Sequence, residues 1–325
     1  MSSFKFITYG YDGELEGEFV WDDSCSKLFD AYYNGSEIYE CGNYEKAINK
    51  FRYILKKDSS FFPALNDIGW YFIEKHNLSK AIGYYGKAYK ISNEKIPNNF
   101  KGKIIWGHIE NRHYLRTLHG FGLANIYSLR YKEGLHLFER ILGYNPNDNQ
   151  GVRYLLGDVH FILGNLSDAE KSYKENLDNP TIRYSYGLLL HKSRRFIEAT
   201  IQFSLAIIED EYILKILLNK KINEEIEFYT TSKVENAFSY YRFTYGLWHT
   251  ENGIKFLKQI YMSDLFNIYY EQIIKLRNKL KSMKGVTTKD INSRGIYLNR
   301  ISEIINTIDS DFALKLFNEV NKIHC

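Results

Sequence analysis

The sequence predicts an all-α fold built from repeated helix hairpins, and three observations predict it. A motif with a small residue four positions before an aromatic one occurs five times, at Ala47 and Phe51, Ala81 and Tyr85, Gly134 and Phe138, Ala169 and Tyr173, and Ala199 and Phe203. Every copy carries a glycine twelve residues before its small residue, at Gly35, Gly69, Gly122, Gly157 and Gly187. Beyond the copies, apolar residues recur at helical spacing, as in Leu265, Ile268, Tyr269, Ile273, Leu276 and Leu280. Self-similarity at a fixed period marks a repeat architecture, and the first two copies lie 34 residues apart.

Taken along the chain, residues 3–21 alternate weakly through Phe4, Phe6 and Thr8, pass the turn residues Tyr11, Asp12 and Gly13, and continue through Phe19 and Trp21. That pattern fits a short hairpin or an ordered arm. In each repeat copy the glycine and the small residue mark where two helices cross closely, since a larger side chain would push the backbones apart. The aromatic fills the space beside that gap. Gly42-Asn43, His76-Asn77 and Gly164-Asn165 suit a turn between helices that needs a positive φ. Asn145-Pro146 and Asn179-Pro180 stop second helices, because proline lacks the amide donor and restricts the residue before it. The intervals between small residues are 34, 53, 35 and 30, which places a 19-residue insertion in the second gap, at about residues 93–114. From 208 to 325 about four to six helices are expected. Near their end Ala313 and Phe317 repeat the four-residue spacing without the glycine, as a degenerate terminal cap would.

Over residues 28–207 this pattern resembles the tetratricopeptide repeat. The segments ENRHYLRTLHG and NPNDNQGVRYLL are similar to a set of bacterial tetratricopeptide proteins without assigned activity. The resemblance implies a right-handed superhelical solenoid over 28–207, with an arm or hairpin over 1–27 and a helical region over 208–325. It also implies that the first helix of each pair lines a concave groove. Counted from copy starts at Leu28, Phe62, Leu115, Gln150 and Pro180, the first groove positions are Tyr32, Ser36 and Tyr39, then Asn66, Asp67, Trp70 and Glu74. The third copy contributes Arg116, His119 and Tyr127, the fourth Tyr154, Asp158 and Phe161, and the fifth Tyr184, His191 and Lys192. Aromatic, amide and charged groups so mixed suit an extended peptide or a helix of another protein, with Tyr and Trp as anchors. The alternative is that several of them fill the superhelix interior. Related repeats clamp the C-terminal carboxylate of heat-shock chaperones with basic and amide groups. The equivalent positions here are Tyr32, Ser36, Asp67, Arg116 and Gly120, of which Arg116 alone is cationic and Asp67 repels, so that partner is not expected.

Composition limits the other readings. The 325 residues are 44% hydrophobic and 25% charged, ordinary for a folded chain, while 28 Tyr, 21 Phe and 4 Pro leave the fold class open on their own. Lys and Arg total 43 against 39 acidic residues, too even for a nucleic-acid-binding field. No apolar run approaches the roughly 20 residues of a membrane span, and no signal peptide opens the chain, so a cytoplasmic location is expected. Cys25, Cys41 and Cys325 show no C-x-x-C spacing, which gives neither a disulfide framework nor a zinc site.

Catalytic motifs are sparse. His108, Glu110, His113 and His119 cluster in and beside the insertion, and His108-Ile109-Glu110 matches half of the zinc-deaminase signature, but no P-C-x-x-C follows. Gly120-Phe121-Gly122-Leu123-Ala124-Asn125 begins like a dinucleotide loop, yet Asn125 replaces the third glycine and helix packing explains the first two. Glu224-Glu225 reads as solvated surface. Lys275, Arg277, Lys279, Lys281 and Lys284 form a basic stretch over 275–284 that offers contact with an anionic membrane or RNA. The leading expectation is therefore a non-enzymatic scaffold or adaptor that holds a partner protein or peptide, without catalytic residue, metal or cofactor. Two alternatives stand beside it: a small enzyme or effector unit in the C-terminal region or insertion, and membrane or RNA association through the basic stretch.

Overall fold

The computed structural model describes residues 3–222, 228–250, 252–283 and 288–322. It divides into two compact units, Met1–Val159 and His160–Cys325. Among the described residues there are sixteen α-helices and one two-stranded sheet, so the fold is an all-α helical repeat carrying a β-hairpin. No helix among them is long and apolar enough to cross a membrane.

The first unit opens with β1 (Phe4–Tyr11) and β2 (Glu14–Trp21), antiparallel across a turn at Asp12 and Gly13 whose φ values are 48° and 78°. Phe4 pairs with Trp21 and Phe6 with Phe19, so the alternation puts four rings on one face. A 3₁₀ turn at Asp23–Cys25 leads into α1 (Ser26–Glu40), followed by α2 (Tyr44–Lys57), α3 (Phe62–Glu74), α4 (Leu78–Asn93), α5 (Asn111–Tyr127) and α6 (Tyr131–Tyr144). Next, α7 (Arg153–Ile162) runs through the boundary between the units. The second unit continues with α8 (Leu166–Lys174), α9 (Pro180–Lys192), α10 (Phe196–Glu209), α11 (Glu211–Leu217), α12 (Phe228–Thr250), α13 (Gly253–Met262), α14 (Asp264–Ser282), α15 (Thr288–Asn306) and α16 (Ser310–Lys322).

Four hairpins pair α1 with α2, α3 with α4, α5 with α6 and α9 with α10, and their glycines behave as close-packing positions. A Cβ built on Gly35 would sit 2.6 Å from the Phe51 ring, on Gly69 2.8 Å from Tyr85, on Gly122 2.4 Å from Phe138, and on Gly187 2.6 Å from Phe203. In each case the ring belongs to the same hairpin, sixteen residues on, so glycine and aromatic are two halves of one contact. Of the small residues, Ala47, Ala81, Ala169 and Ala199 are fully buried, and a Cβ on Gly134 would sit 2.5 Å from Ile126. The buried Gly157 occupies the matching place on α7.

The turns show a second regularity. Five positions before each small residue the backbone is left-handed, at Gly42 (φ 81°), His76 (54°), Leu129 (63°), Gly164 (80°) and Arg194 (59°). Leu129 and Arg194 take this conformation without the glycine that suits it, so the hairpin geometry overrides local preference there.

The insertion is shorter than the period count suggests. Since α5 already begins at Asn111, the interruption is residues 94–110, and its last expected residues belong to the helix. Nor is it a simple excursion. Lys103 bridges to β2, with the Lys103 amide donating to the Leu15 carbonyl and the Gly17 amide to the Lys103 carbonyl, each at 2.8 Å. Fully buried Asn111 closes the junction: its side-chain oxygen accepts from the Phe19 amide at 3.0 Å, while its Nδ2 donates to the carbonyls of Gly17 (3.0 Å) and Ile105 (3.2 Å). The hairpin's aromatic face lies over the starts of α3 and α5, with Phe4 against Phe62 (5.2 Å between centroids), Trp21 against Phe61 (5.1 Å) and Phe19 against Tyr114 (5.1 Å).

In the second unit α16, which carries Ala313 and Phe317, packs against α10. Ala313 is fully buried, and the Phe317 ring stacks on Phe196 at 5.5 Å and 11°.

Candidate functional site

In the first unit the first helices of three hairpins converge. Tyr32 comes from α1, Asp67 from α3 and Arg116 from α5, and these three side chains separate two adjoining recesses. One, of about 130 Å³, is lined further by Asn66, Trp70, Tyr85, His119 and Gly120. The other, of about 300 Å³, is lined further by Tyr33, Ser36, Tyr39 and Glu40. Groove positions one turn apart on α1 and α3 thus face one another across the same space, as helical periodicity requires of residues three and four apart.

The polar groups are held in place. The hydroxyls of buried Tyr32 and of Ser36 face Asp67, and Ser36 Oγ donates to the Tyr32 carbonyl at 3.3 Å. Burial pushes the Asp67 carboxyl up to about 6, against the opposing pull of those hydroxyls and of Arg116. Glu74 at the rim accepts from the Trp70 indole nitrogen at 3.0 Å and from the Tyr39 hydroxyl. Trp70 keeps 41% of its surface exposed. Arg116 is exposed, with its guanidinium carbon 5.5 Å from the Trp106 ring centroid in the insertion. Arg112 lies over the same ring at 5.4 Å and donates to the Trp106 carbonyl at 3.0 Å.

The remaining groove positions separate into several kinds. Asn66 borders a recess but is a strut, since its Nδ2 donates to the His113 carbonyl (2.9 Å) and its oxygen accepts from Thr117 (2.9 Å). His119 lines the smaller recess, where burial brings its imidazole down to about 4 against the pull of Asp148. Tyr127 is half-buried near the end of α5 and borders neither recess. On α7, Tyr154 is half-buried and Asp158 buried, and neither lines a recess here.

In the second unit the expected open groove gives way to packing. The Tyr184 side chain is fully buried, 6.3 Å from Tyr240 and 6.5 Å from Trp248 on α12, with its hydroxyl donating to the Asp210 carbonyl at 2.7 Å. His191 lies 5.0 Å from Phe256 on α13 and 5.4 Å from Phe196. Lys192 is exposed, its ammonium 5.5 Å from the Phe161 centroid. The chain's own C-terminal helices cover Tyr184 and His191 because Tyr184, Trp248 and Phe256 together bury a large apolar area.

The histidine group of the insertion is spread over separate surroundings. His108 belongs to the hairpin junction, 2.9 Å from the Tyr9 hydroxyl, 3.2 Å from Glu16 and 3.5 Å from Glu18. Glu110 sits near Glu18, and burial, then that charge, raises its carboxyl. His113 is buried against Phe29 (5.8 Å) and Tyr32 (5.7 Å), and burial, then Arg116, brings it down to about 3, so it is neutral. Among the described residues no three His, Cys, Asp or Glu side chains converge to hold a metal ion. Gly120 and Gly122 are packing positions facing Tyr85 and Phe138. The basic stretch is not one uniform face: Arg277 turns inward to donate to the Ile208 carbonyl (2.5 Å), and Lys275 pairs with Glu271 (3.6 Å). Lys279 lies 5.7 Å from the Tyr297 centroid and Lys281 is exposed, while Lys284 and the Glu224-Glu225 pair fall outside the described residues.

A family model described as tetratricopeptide repeat matches residues 120–180, from the middle of α5 to the start of α9. Among solved structures the chain is similar to a tetratricopeptide repeat protein from Parabacteroides merdae, at 13% identity over 88% of this chain and 98% of that one, with a TM-score of 0.45. It is similar to Pseudomonas aeruginosa pilF at 15% identity over 72% and 97% of the two chains, TM-score 0.43. A third is YrrB, a TPR protein with an unusual peptide-binding site, at 16% identity over 61% and 91%, TM-score 0.39. No curated protein matches the sequence.

Proposed function

We propose that this chain, whose residues 120–180 match a tetratricopeptide-repeat family model, is an interaction scaffold, and that a peptide segment of a partner docks in the paired recesses of the first unit. The observation that carries this reading is the convergence of Tyr32, Asp67 and Arg116 from three successive hairpins, with exposed Trp70 and half-buried Tyr39 beside them. A rigid aromatic anchor next to oriented polar groups is the composition that gives a small docking surface most of its affinity. Docking is confined to the first unit in this reading, because α12 and α13 cover Tyr184 and His191 of α9.

Affinity capture from the producing cell's lysate tests it, comparing the native chain with Trp70→Ala and Arg116→Ala. Both variants are expected to lose the captured partner while the far-ultraviolet circular dichroism stays that of the native chain. Retention of the same partner by both variants would place docking elsewhere.

A further inference from the structure

Resting on that reading of the groove, we infer that the docked segment presents a basic side chain, a lysine or arginine, to Asp67 and Glu74 between the rings of Tyr39 and Trp70.

Three observations carry the inference. The first is charge. Asp67 lies between the two recesses, Glu40 lines the larger, and Glu74 stands at the rim bonded to both flanking rings. Against these three carboxylates Arg116 is the one lining cation among the described residues, and its guanidinium lies over Trp106, towards the insertion. No lysine lines either recess. The second is orientation. Glu74 accepts one bond on each oxygen, from Trp70 and Tyr39, which fixes the carboxylate and leaves lone pairs for further donors. Asp67 faces the hydroxyls of Tyr32 and Ser36. Fixed carboxylates suit an ammonium or guanidinium with several donors, and the combination shortens and strengthens each bond. The third is the ring content: Tyr32, Tyr33, Tyr39, Trp70 and Tyr85 line the two recesses, and ring faces attract cations, tryptophan most strongly.

The electrostatics of the unliganded recess agree. Burial disfavours the ionised form of Asp67, and the groups facing it are Tyr32 and Ser36 from α1, Tyr85 from α4, and Arg116 and His119 from α5. A cation brought in by a partner would compensate the carboxylate that these groups compensate incompletely. An acidic segment meets the opposite situation, since it would approach Arg116 only beside Asp67.

Selection of random displayed dodecapeptides on the full chain, followed by fluorescence anisotropy with blocked synthetic copies of the enriched peptides, tests the inference. The enriched peptides should share one Lys or Arg, and its replacement by Gln should weaken binding about tenfold or more, the scale of a single well-placed charge contact. Glu74→Gln and Asp67→Asn should weaken the parent peptides by a similar factor yet scarcely affect the Gln-substituted ones, a coupling that general destabilisation cannot imitate. Peptides that depend on Trp70 but share no basic residue, or that carry an acidic residue dependent on Arg116, would overturn the inference and leave the groove reading standing. Peptides indifferent to Trp70→Ala, or no enrichment at all, would overturn both.

Discussion

The two units treat equivalent positions in opposite ways. On α1, α3 and α5 the groove positions open onto the two recesses, with Trp70 exposed and Asp67 half-buried. On α9 the same positions are packed under α12 and α13, with Tyr184 beneath Trp248 and His191 against Phe256. The hairpins do not differ in construction, since Gly122 meets Phe138 in one unit as Gly187 meets Phe203 in the other. What differs is the chain that follows. A groove position thus becomes a binding position only where no later segment of the same molecule fills it.

The most demanding test of that contrast substitutes the two tryptophans. Trp248→Ala removes a fully buried ring from the cover over Tyr184 and Phe203, with an expected loss of about 3–5 kcal/mol in urea unfolding. Trp70→Ala should cost under about 1 kcal/mol, as surface substitutions do, while removing peptide binding. Equal costs would erase the distinction between covered and open grooves. Next come the shared contacts. Gly122→Ala and Gly187→Ala each force a methyl into the partner ring and should each cost about 1–3 kcal/mol. A neutral result for one of them would show that the hairpins are not equivalent.

Acid sharpens the comparison from the first unit's side. His113 and His119 have folded values of about 3 and about 4, below the ordinary 6.5, so the folded state binds fewer protons than the unfolded one across that interval. Stability from these histidines is present above pH 6.5 and is lost as pH falls towards 3 and 4. Asp67 acts in the opposite sense. Its folded value of about 6 lies above 3.8, so its protonated form favours folding at low pH and that contribution is lost as pH rises through the interval. Glu110, raised by burial and by Glu18, sides with Asp67, but the histidines' ordinary 6.5 lies above both, so they act first and the urea midpoint should fall as pH drops from 7 to 6. In His113→Gln the fall should be shallower whatever its absolute stability. The smallest effect is at the turns. Leu129 is 72% exposed and left-handed, so Leu129→Gly should raise stability by up to about 1 kcal/mol, read as an upward shift in thermal midpoint.

Much of this was legible in the sequence because it is periodic. The spacing of glycine, small residue and aromatic names both sides of the contact between Gly69 and Tyr85, and glycine or asparagine marks the turns at Gly42, His76 and Gly164. Leu129 and Arg194 escape notice because nothing in an exposed leucine or arginine announces a left-handed backbone. The convergence of Tyr32, Asp67 and Arg116 follows from position counting, but the cover over Tyr184 does not, since a repeat register holds no information about chain that returns from elsewhere. The concentration of rings at Phe238, Tyr240, Tyr241, Phe243, Tyr245 and Trp248 was the available signal. Asn111 was hidden for a related reason. Period counting treats an insertion as an interruption, whereas Lys103-Ile104-Ile105-Trp106, a short β-prone run, is the part that meets the hairpin.

The clasp between Asn111 and the hairpin also imposes an order of events during synthesis. The amide of Phe19 and the carbonyl of Gly17 find their side-chain partner 92 and 94 residues further on, and Gly17 and Leu15 wait for Lys103. An isolated two-stranded hairpin is marginal in water. The two strands, made before the residues that anchor them, are therefore among the last of their unit to settle, and the two hairpins of α1 to α4 form while the strands that will cover them remain unanchored.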